Sequence, residues 1–193
     1  KLKDDYFQQH LRQHGVETYS SAIDLVRRLR AHGIKTAVVS SSNNCAEVLD
    51  AAHIAVLFDA RVDGTDITRL ALPGKPAPDA FLEAARRLAT PVARAVVVED
   101  AIAGVAAGRA GHFGRVIGVD RRGQAKALRE AGADVVVTDL NQVGVAAAPI
   151  ATWSLVFEGF NEAHEGVRES LCALGNGYFT TRGAAVWAQA DDH

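Results

Sequence analysis

Apolar and polar positions alternate between two periods along most of the chain, and the alternation predicts its elements. Leu2, Tyr6, Phe7 and Leu11 mark an amphipathic helix over 2–14, with Gly15 as its stop. Ile23, Val26 and Leu29 form the apolar stripe of a second helix, from about Ala22 to His32. Ser21 is placed to cap it, with Asp24 reaching back, and Gly33 ends it. Ile34 to Val39 is apolar enough to be a buried strand, followed by a helix over 46–52. Ala60 to Val62 suggests a short strand, Asp63-Gly64 a turn, and Ala80 to Leu88 a helix. Val96, Val97 and Val98 are a β-branched run without alternation, which predicts a parallel strand covered on both faces. A small-residue helix over 101–110, a strand over 115–119, a helix over 124–131 and a strand over 135–137 complete the series. Strand and helix alternate throughout, so the expected class is α/β with a doubly wound parallel sheet, Rossmann-like.

Beyond Leu140 the pattern changes. Residues 144–152 carry no charge and no clear period, and suggest a linker. Trp153 to Phe160 is aromatic and strand-like, residues 162–169 are charged, and residues 175–183 are glycine-rich. About 40 residues rarely bury a core alone, so the tail is expected to open a second domain. The chain starts at Lys1 and contains no Met, which suggests a piece of a longer polypeptide.

Composition narrows the partners. The net charge of −2 gives no sign of a nucleic-acid or membrane partner. No apolar run approaches the ~18 residues of a spanning helix, and no signal peptide opens the chain. Cys45 and Cys172 lie far apart, as two free thiols of a reducing cytoplasm would.

Chemistry concentrates at strand ends. The central apolar run ends in Glu99-Asp100, at the edge where open α/β sheets bind ligands. Adjacent carboxylates there need compensation, and Mg²⁺, which takes one or two carboxylates plus substrate phosphate, supplies it. A helix N-terminus that simply accepts two acids is the competing explanation. The first strand ends in Ser40-Ser41-Ser42-Asn43-Asn44, whose hydroxyls and backbone N–H groups suit a phosphate, or merely cap the following helix. Lys75 lies in Pro73-Gly74-Lys75-Pro76-Ala77-Pro78-Asp79, a stiff loop that can hold a point charge in one place; the alternative is a solvated surface lysine. His10, His14, His32 and His53 lack metal-ligand spacing, and Asp120 and Asp139 end strands as caps.

Together, in that order, these three motifs resemble the haloacid dehalogenase superfamily, and within it the β-phosphoglucomutase group. The resemblance covers about Lys1 to Leu140. It implies that Ser40 binds the transferring phosphoryl oxygen and Lys75 neutralises charge on it. It further implies that Glu99 and Asp100 help hold Mg²⁺, and that Ser41, Ser42, Asn43 and Asn44 contact the substrate. Lys3 matches a cap lysine that reaches substrate phosphate. Phosphoryl transfer is mainly positioning and charge stabilisation, which this inventory suits.

The family's first motif, an Asp-x-Asp pair on the central strand, has no counterpart here; Asp4-Asp5 sits in a helical pattern. Tyr19-Ser20-Ser21 stands where many relatives have Tyr-Pro-Gly. A protein of only these residues is therefore expected to be inactive, with the nucleophile supplied by the full-length parent. The tail, with Trp153-Ser154-Leu155, Arg168-Glu169, Gly175-Asn176-Gly177 and Thr181-Arg182-Gly183, resembles the opening of the trehalose and maltose phosphorylases of glycoside hydrolase family 65. Such enzymes release β-glucose 1-phosphate, which a β-phosphoglucomutase consumes, through an aspartyl-phosphate and a bisphosphate intermediate. The expected organisation is a cap remnant over 1–18, a core over 19–143, the linker over 144–152 and the phosphorylase-like start over 153–193. The expected activity is Mg²⁺-dependent phosphoryl transfer on a sugar phosphate in the cytoplasm. The alternatives are a small-molecule or trehalose-phosphate phosphatase and an inactive docking module for the fused phosphorylase.

Overall fold

The computed structural model describes residues 16, 18–148, 152–157, 171–174 and 179–182. The helix expected over 2–14, and Lys3 with it, lies outside the described residues.

Helix α1 (Ser20–Ala31) leads into strand β1 (Thr36–Val39), helix α2 (Cys45–Ala51) and strand β2 (Ala60–Val62). Then come α3 (Gly64–Arg69), α4 (Asp79–Arg87), β3 (Ala95–Glu99) and α5 (Ile102–Ala110). The series continues with β4 (Arg115–Val119), α6 (Ala125–Glu130), β5 (Val135–Val137), β6 (Val143–Ala148), β7 (Thr152–Phe157), β8 (Leu171–Leu174) and β9 (Phe179–Arg182). Strands β1 and β2 pair in parallel, as do β3 with β4 and β4 with β5. The doubly wound class expected from the sequence is the observed one.

Alternating side chains put one apolar layer on each face of the sheet. Val38, Val96, Val98, Ile117 and Val119 face α1 and α2, packing on Leu25, Val26, Leu29 and Leu49. Ala37, Val39, Val97 and Val116 face the other side, with Phe81 and Ala84 of α4, Leu88 at its C-cap, Val105 of α5 and Leu128 of α6. Every residue of β1, β3 and β4 is buried, which is why their β-branched runs do not alternate. Gly33 has φ 72°, and the Ile34 N–H reaches back to the Leu29 carbonyl at 3.0 Å, closing α1 as a glycine stop does.

Three expectations differ from the structure. Helix α1 begins a residue before Ser21, with Tyr19 as its N-cap and no side-chain cap; Ser21 is buried in the helix instead. The Asp63-Gly64 turn is the start of α3, because the Asp63 carboxylate accepts from Thr65 N–H and Asp66 N–H and so nucleates a helical turn. The expected linker contains β6, paired antiparallel with β7 from Val143↔Phe157 to Ala148↔Thr152. Uncharged small residues satisfy their backbone groups by pairing where a partner strand is close.

The tail's other described strands pair within the main sheet. Strands β8 and β9 lie between β1 and β3, β8 parallel to both and β9 antiparallel to both. Two strand edges facing a gap would each present unpaired N–H and C=O groups, and backbone from the tail supplies partners. Val38 and Val98 share Leu174 as register partner, so β1 and β3 run the same way at the same level. Their carboxyl ends, Ser40 and Glu99-Asp100, therefore flank one central position.

Candidate active site

The loop after β1 is clamped onto the loop after β2. Ser40 N–H donates to the Val62 carbonyl at 2.9 Å, and Gly64 N–H donates to the Ser42 carbonyl at 3.0 Å. A Cβ on Gly64 would stand 2.7 Å from the Ser41 carbonyl oxygen and 2.8 Å from the Asn43 nitrogen, so only glycine allows this approach. Within the loop, Ser42 N–H donates to Ser40 Oγ and Asn44 N–H to Ser42 Oγ, both at 3.1 Å. Ser40 is buried, Ser41, Ser42 and Asn43 are exposed, and Asn44 is half-buried. One fixed hydroxyl thus sits at the strand end, with a polar rim above it. Cys45 follows at the start of α2, and burial pushes its thiol up to about 11, away from nucleophilic duty.

Asp63 holds the β2 end. Its carboxylate is 2% exposed and accepts from Thr65 N–H at 3.0 Å, Asp66 N–H at 3.2 Å and Arg61 Nε at 2.7 Å. Helix α3 is tied in turn to α4, because Arg87 bonds Asp66 at 2.8 Å and Glu83 at 2.7 Å. Hydrogen bonds from Arg87 hold the Asp66 carboxyl well below the usual range, and those from Arg86 bring Glu83 down to about 2.

Lys75 approaches from the loop before α4, which follows a cis Lys75–Pro76 peptide. Its ammonium pairs with Glu99 Oε1 and lies 4.9 Å from the Phe81 ring centroid. Phe81 is braced edge-on by Phe113, at 6.0 Å between centroids. The lysine is therefore not a solvated surface residue; 15% of its side chain is exposed.

Glu99 is fully buried. Its second oxygen accepts from Ala101 N–H at 3.0 Å, and its carboxylate occupies the space where a Cβ on Gly104 would be. The small residues of α5 are thus what lets a carboxylate lie under the helix start. Asp100, next along, pairs with Arg121 Nε of the β4 end at 3.4 Å. Asp120 serves α6: its carboxylate accepts from Gln124, Arg122 and Ala125 N–H groups, and these hold it below its ordinary value.

The structure thus brings Ser40, Lys75, Glu99 and Asp100 to the carboxyl edge of one sheet. Glu99 and Asp100 offer hard oxygen donors side by side, a set that suits Mg²⁺ together with phosphate and water oxygens. No group of three or more His, Cys, Asp and Glu forms a metal site among the described residues. Strands β8 and β9, in the central position, read Leu-Cys-Ala-Leu and Phe-Thr-Thr-Arg and bring no carboxylate. Sequence reading missed Asp63, Gly64, Gly104 and Arg121. A helix-start signal at Asp63-Gly64-Thr65-Asp66 was present, whereas the Arg121–Asp100 pair spans two strands and leaves no local trace.

The model of the haloacid dehalogenase-like hydrolases matches residues 2–112. The chain belongs to the haloacid dehalogenase-like hydrolase family. The N-terminal domain of glycosyl hydrolase family 65 matches residues 155–193. A β-phosphoglucomutase of Mycobacterium bovis is 43% identical over 144 residues, covering 73% of this chain and 55% of that protein. A trehalose-phosphate phosphatase of Mycobacterium leprae is 39% identical over 127 residues, covering 64% of this chain and 28% of that protein. The crystal structure of β-phosphoglucomutase from Clostridium difficile superposes with a TM-score of 0.53 at 26% identity, over 63% of this chain and 50% of that one. The chain thus spans about half the length of the β-phosphoglucomutases it matches. No described helix is long and apolar enough to cross a membrane.

Proposed function

We propose that this chain is the phosphoryl-transfer module of a β-phosphoglucomutase that turns β-glucose 1-phosphate into glucose 6-phosphate. Membership of a family of phosphatases and mutases is the ground for it. The convergence of Ser40, Lys75, Glu99 and Asp100 at one sheet edge carries the reading. Lys75 sits where a fixed positive charge can stabilise a phosphoryl group in flight, and Phe81 restricts its ammonium. The Ser40 hydroxyl, together with backbone N–H groups of its loop, is placed to hold a phosphoryl oxygen. The exposed Ser41, Ser42, Asn43 and half-buried Asn44 provide donors for the remainder of a sugar phosphate. Glu99 and Asp100 would hold Mg²⁺, which supplies charge neutralisation on phosphate oxygens when bound.

The nucleophilic carboxylate is assigned to the longer protein, since no Asp-x-Asp pair occurs in these residues. The family 65 match over 155–193 supports a fusion in which a disaccharide phosphorylase delivers β-glucose 1-phosphate to its consumer. A cytoplasmic setting accords with that role.

The identity to a trehalose-phosphate phosphatase favours one second reading, phosphate ester hydrolysis. The two separate by product. The full-length parent is given β-glucose 1-phosphate or trehalose 6-phosphate with Mg²⁺, and glucose 6-phosphate and free phosphate are both assayed. Accumulation of glucose 6-phosphate, lost in Lys75→Ala, supports the mutase. Stoichiometric free phosphate supports the phosphatase. Neither product at any substrate concentration overturns both and leaves a docking module.

A further inference from the structure

Arg121, just past the end of β4, meets Asp100 of the site described above and the ring of Tyr19. Arg121 Nε lies 3.4 Å from Asp100 Oδ2, while Arg121 Cζ lies 3.6 Å from the centroid of the Tyr19 ring. The guanidinium therefore has an acid on one side and an aromatic face on the other. Its nearest acidic neighbour in sequence, Asp120, is engaged by the backbone of the α6 start. Buried Glu99 and half-buried Asp100 thus each have their own cation, Lys75 for Glu99 and Arg121 for Asp100.

We infer that Arg121 is a tethered counter-ion for Asp100 that competes with a divalent cation for its carboxylate, with Tyr19 as the resting face for the displaced guanidinium. The inference rests on the reading of Asp100 as a Mg²⁺ ligand. Two adjacent carboxylates repel unless neutralised, and Lys75 and Arg121 each place a cation beside one of them. These two cations would oppose a divalent ion held by the same carboxylates, and one of them would have to give way. Arg121 is the one able to do so. Its side chain is 23% exposed against 15% for Lys75, and a stacked guanidinium keeps a favourable contact after leaving the acid. Lys75, by contrast, is held between Glu99 and Phe81.

Mn²⁺ binding to the 193-residue chain, followed by the electron paramagnetic resonance of free Mn²⁺, tests this. Arg121→Gln should bind Mn²⁺ about fivefold more tightly, the upper range for a partly solvated ion pair. Arg121→Lys should stay near the parent affinity, and Asp100→Asn should bind roughly tenfold or more weakly. Tyr19→Leu, which removes the resting face, should weaken binding relative to the parent. Arg121→Gln binding no better than the parent, while Asp100→Asn weakens it, overturns the counter-ion and leaves the metal reading standing. Asp100→Asn binding as well as the parent overturns the metal reading, and the inference with it.

Discussion

Asp63 and Glu99 are both acids at carboxyl ends of parallel strands, and both are almost completely buried. Their partners differ. Asp63 accepts from two N–H groups of α3 and from Arg61, one residue beyond its own strand neighbour. All its donors come from within three residues, so it closes a local helix start. Glu99 accepts one local N–H, from Ala101, and its main partner is Lys75, 24 residues away on another loop. A carboxylate whose donors are all local closes a helix start; one paired with a distant cation at the ligand edge of the sheet ties two loops together where a ligand would bind. Position alone does not separate the two, whereas an accounting of donors does.

The comparison can be broken in several ways. Lys75→Ala should have the largest effect on the stability of this chain, about 3 kcal/mol, because it leaves Glu99 buried without its cation. Adding Glu99→Gln should restore most of that loss in thermal unfolding, whereas an additive double variant would deny the pairing. Asp63→Ala should cost about 2 kcal/mol by removing the N-cap of α3, with Arg61 free to turn to solvent. Gly104→Ala should cost about 1–3 kcal/mol as its Cβ meets the Glu99 carboxylate, and a smaller loss in a Glu99→Ala background would locate the clash.

The smallest effect concerns pH. Asp66 and Glu83 are depressed below their ordinary values by the arginines of α4. Groups lowered in the folded state stabilise it above their unfolded pKa and lose that contribution as pH falls through the folded one. Arg87→Gln should therefore be less stable at pH 7 by about 1 kcal/mol, and the gap to the parent should narrow from about pH 4 downward. Urea midpoints across that range measure it; a gap that is constant with pH would contradict the assignment.

Much of this was legible in the sequence for identifiable reasons. The buried strands announce themselves because Val96-Val97-Val98 and Ala37-Val38-Val39 are apolar without alternation. Ser40, Lys75 and Glu99-Asp100 stand at element ends, where motif order survives in one dimension. Helix α3 was hidden because Asp63-Gly64 has turn chemistry as well as cap chemistry, and the choice between them depends on Thr65 and Asp66. The β6 strand was hidden because small residues without charge or alternation carry no period. Arg121 was hidden because its partners, Asp100 and Tyr19, lie 21 and 102 residues back along the chain. The occupancy of the central position by β8 and β9 has no sequence signal, since both strands lie within the stretch that matches another family.

The central claim is that the β3 end performs chemistry while the β2 end holds the fold. Turnover of β-glucose 1-phosphate and the thermal midpoint, measured together in the full-length parent for Glu99→Gln and Asp63→Ala, test it most directly. Glu99→Gln should melt several degrees lower, because Lys75 loses its partner, and lose roughly 100-fold or more in turnover. Asp63→Ala should melt several degrees lower and keep turnover within about tenfold when assayed well below its midpoint. Glu99→Gln with the parent's turnover, or Asp63→Ala inactive at an unchanged midpoint, would contradict the account.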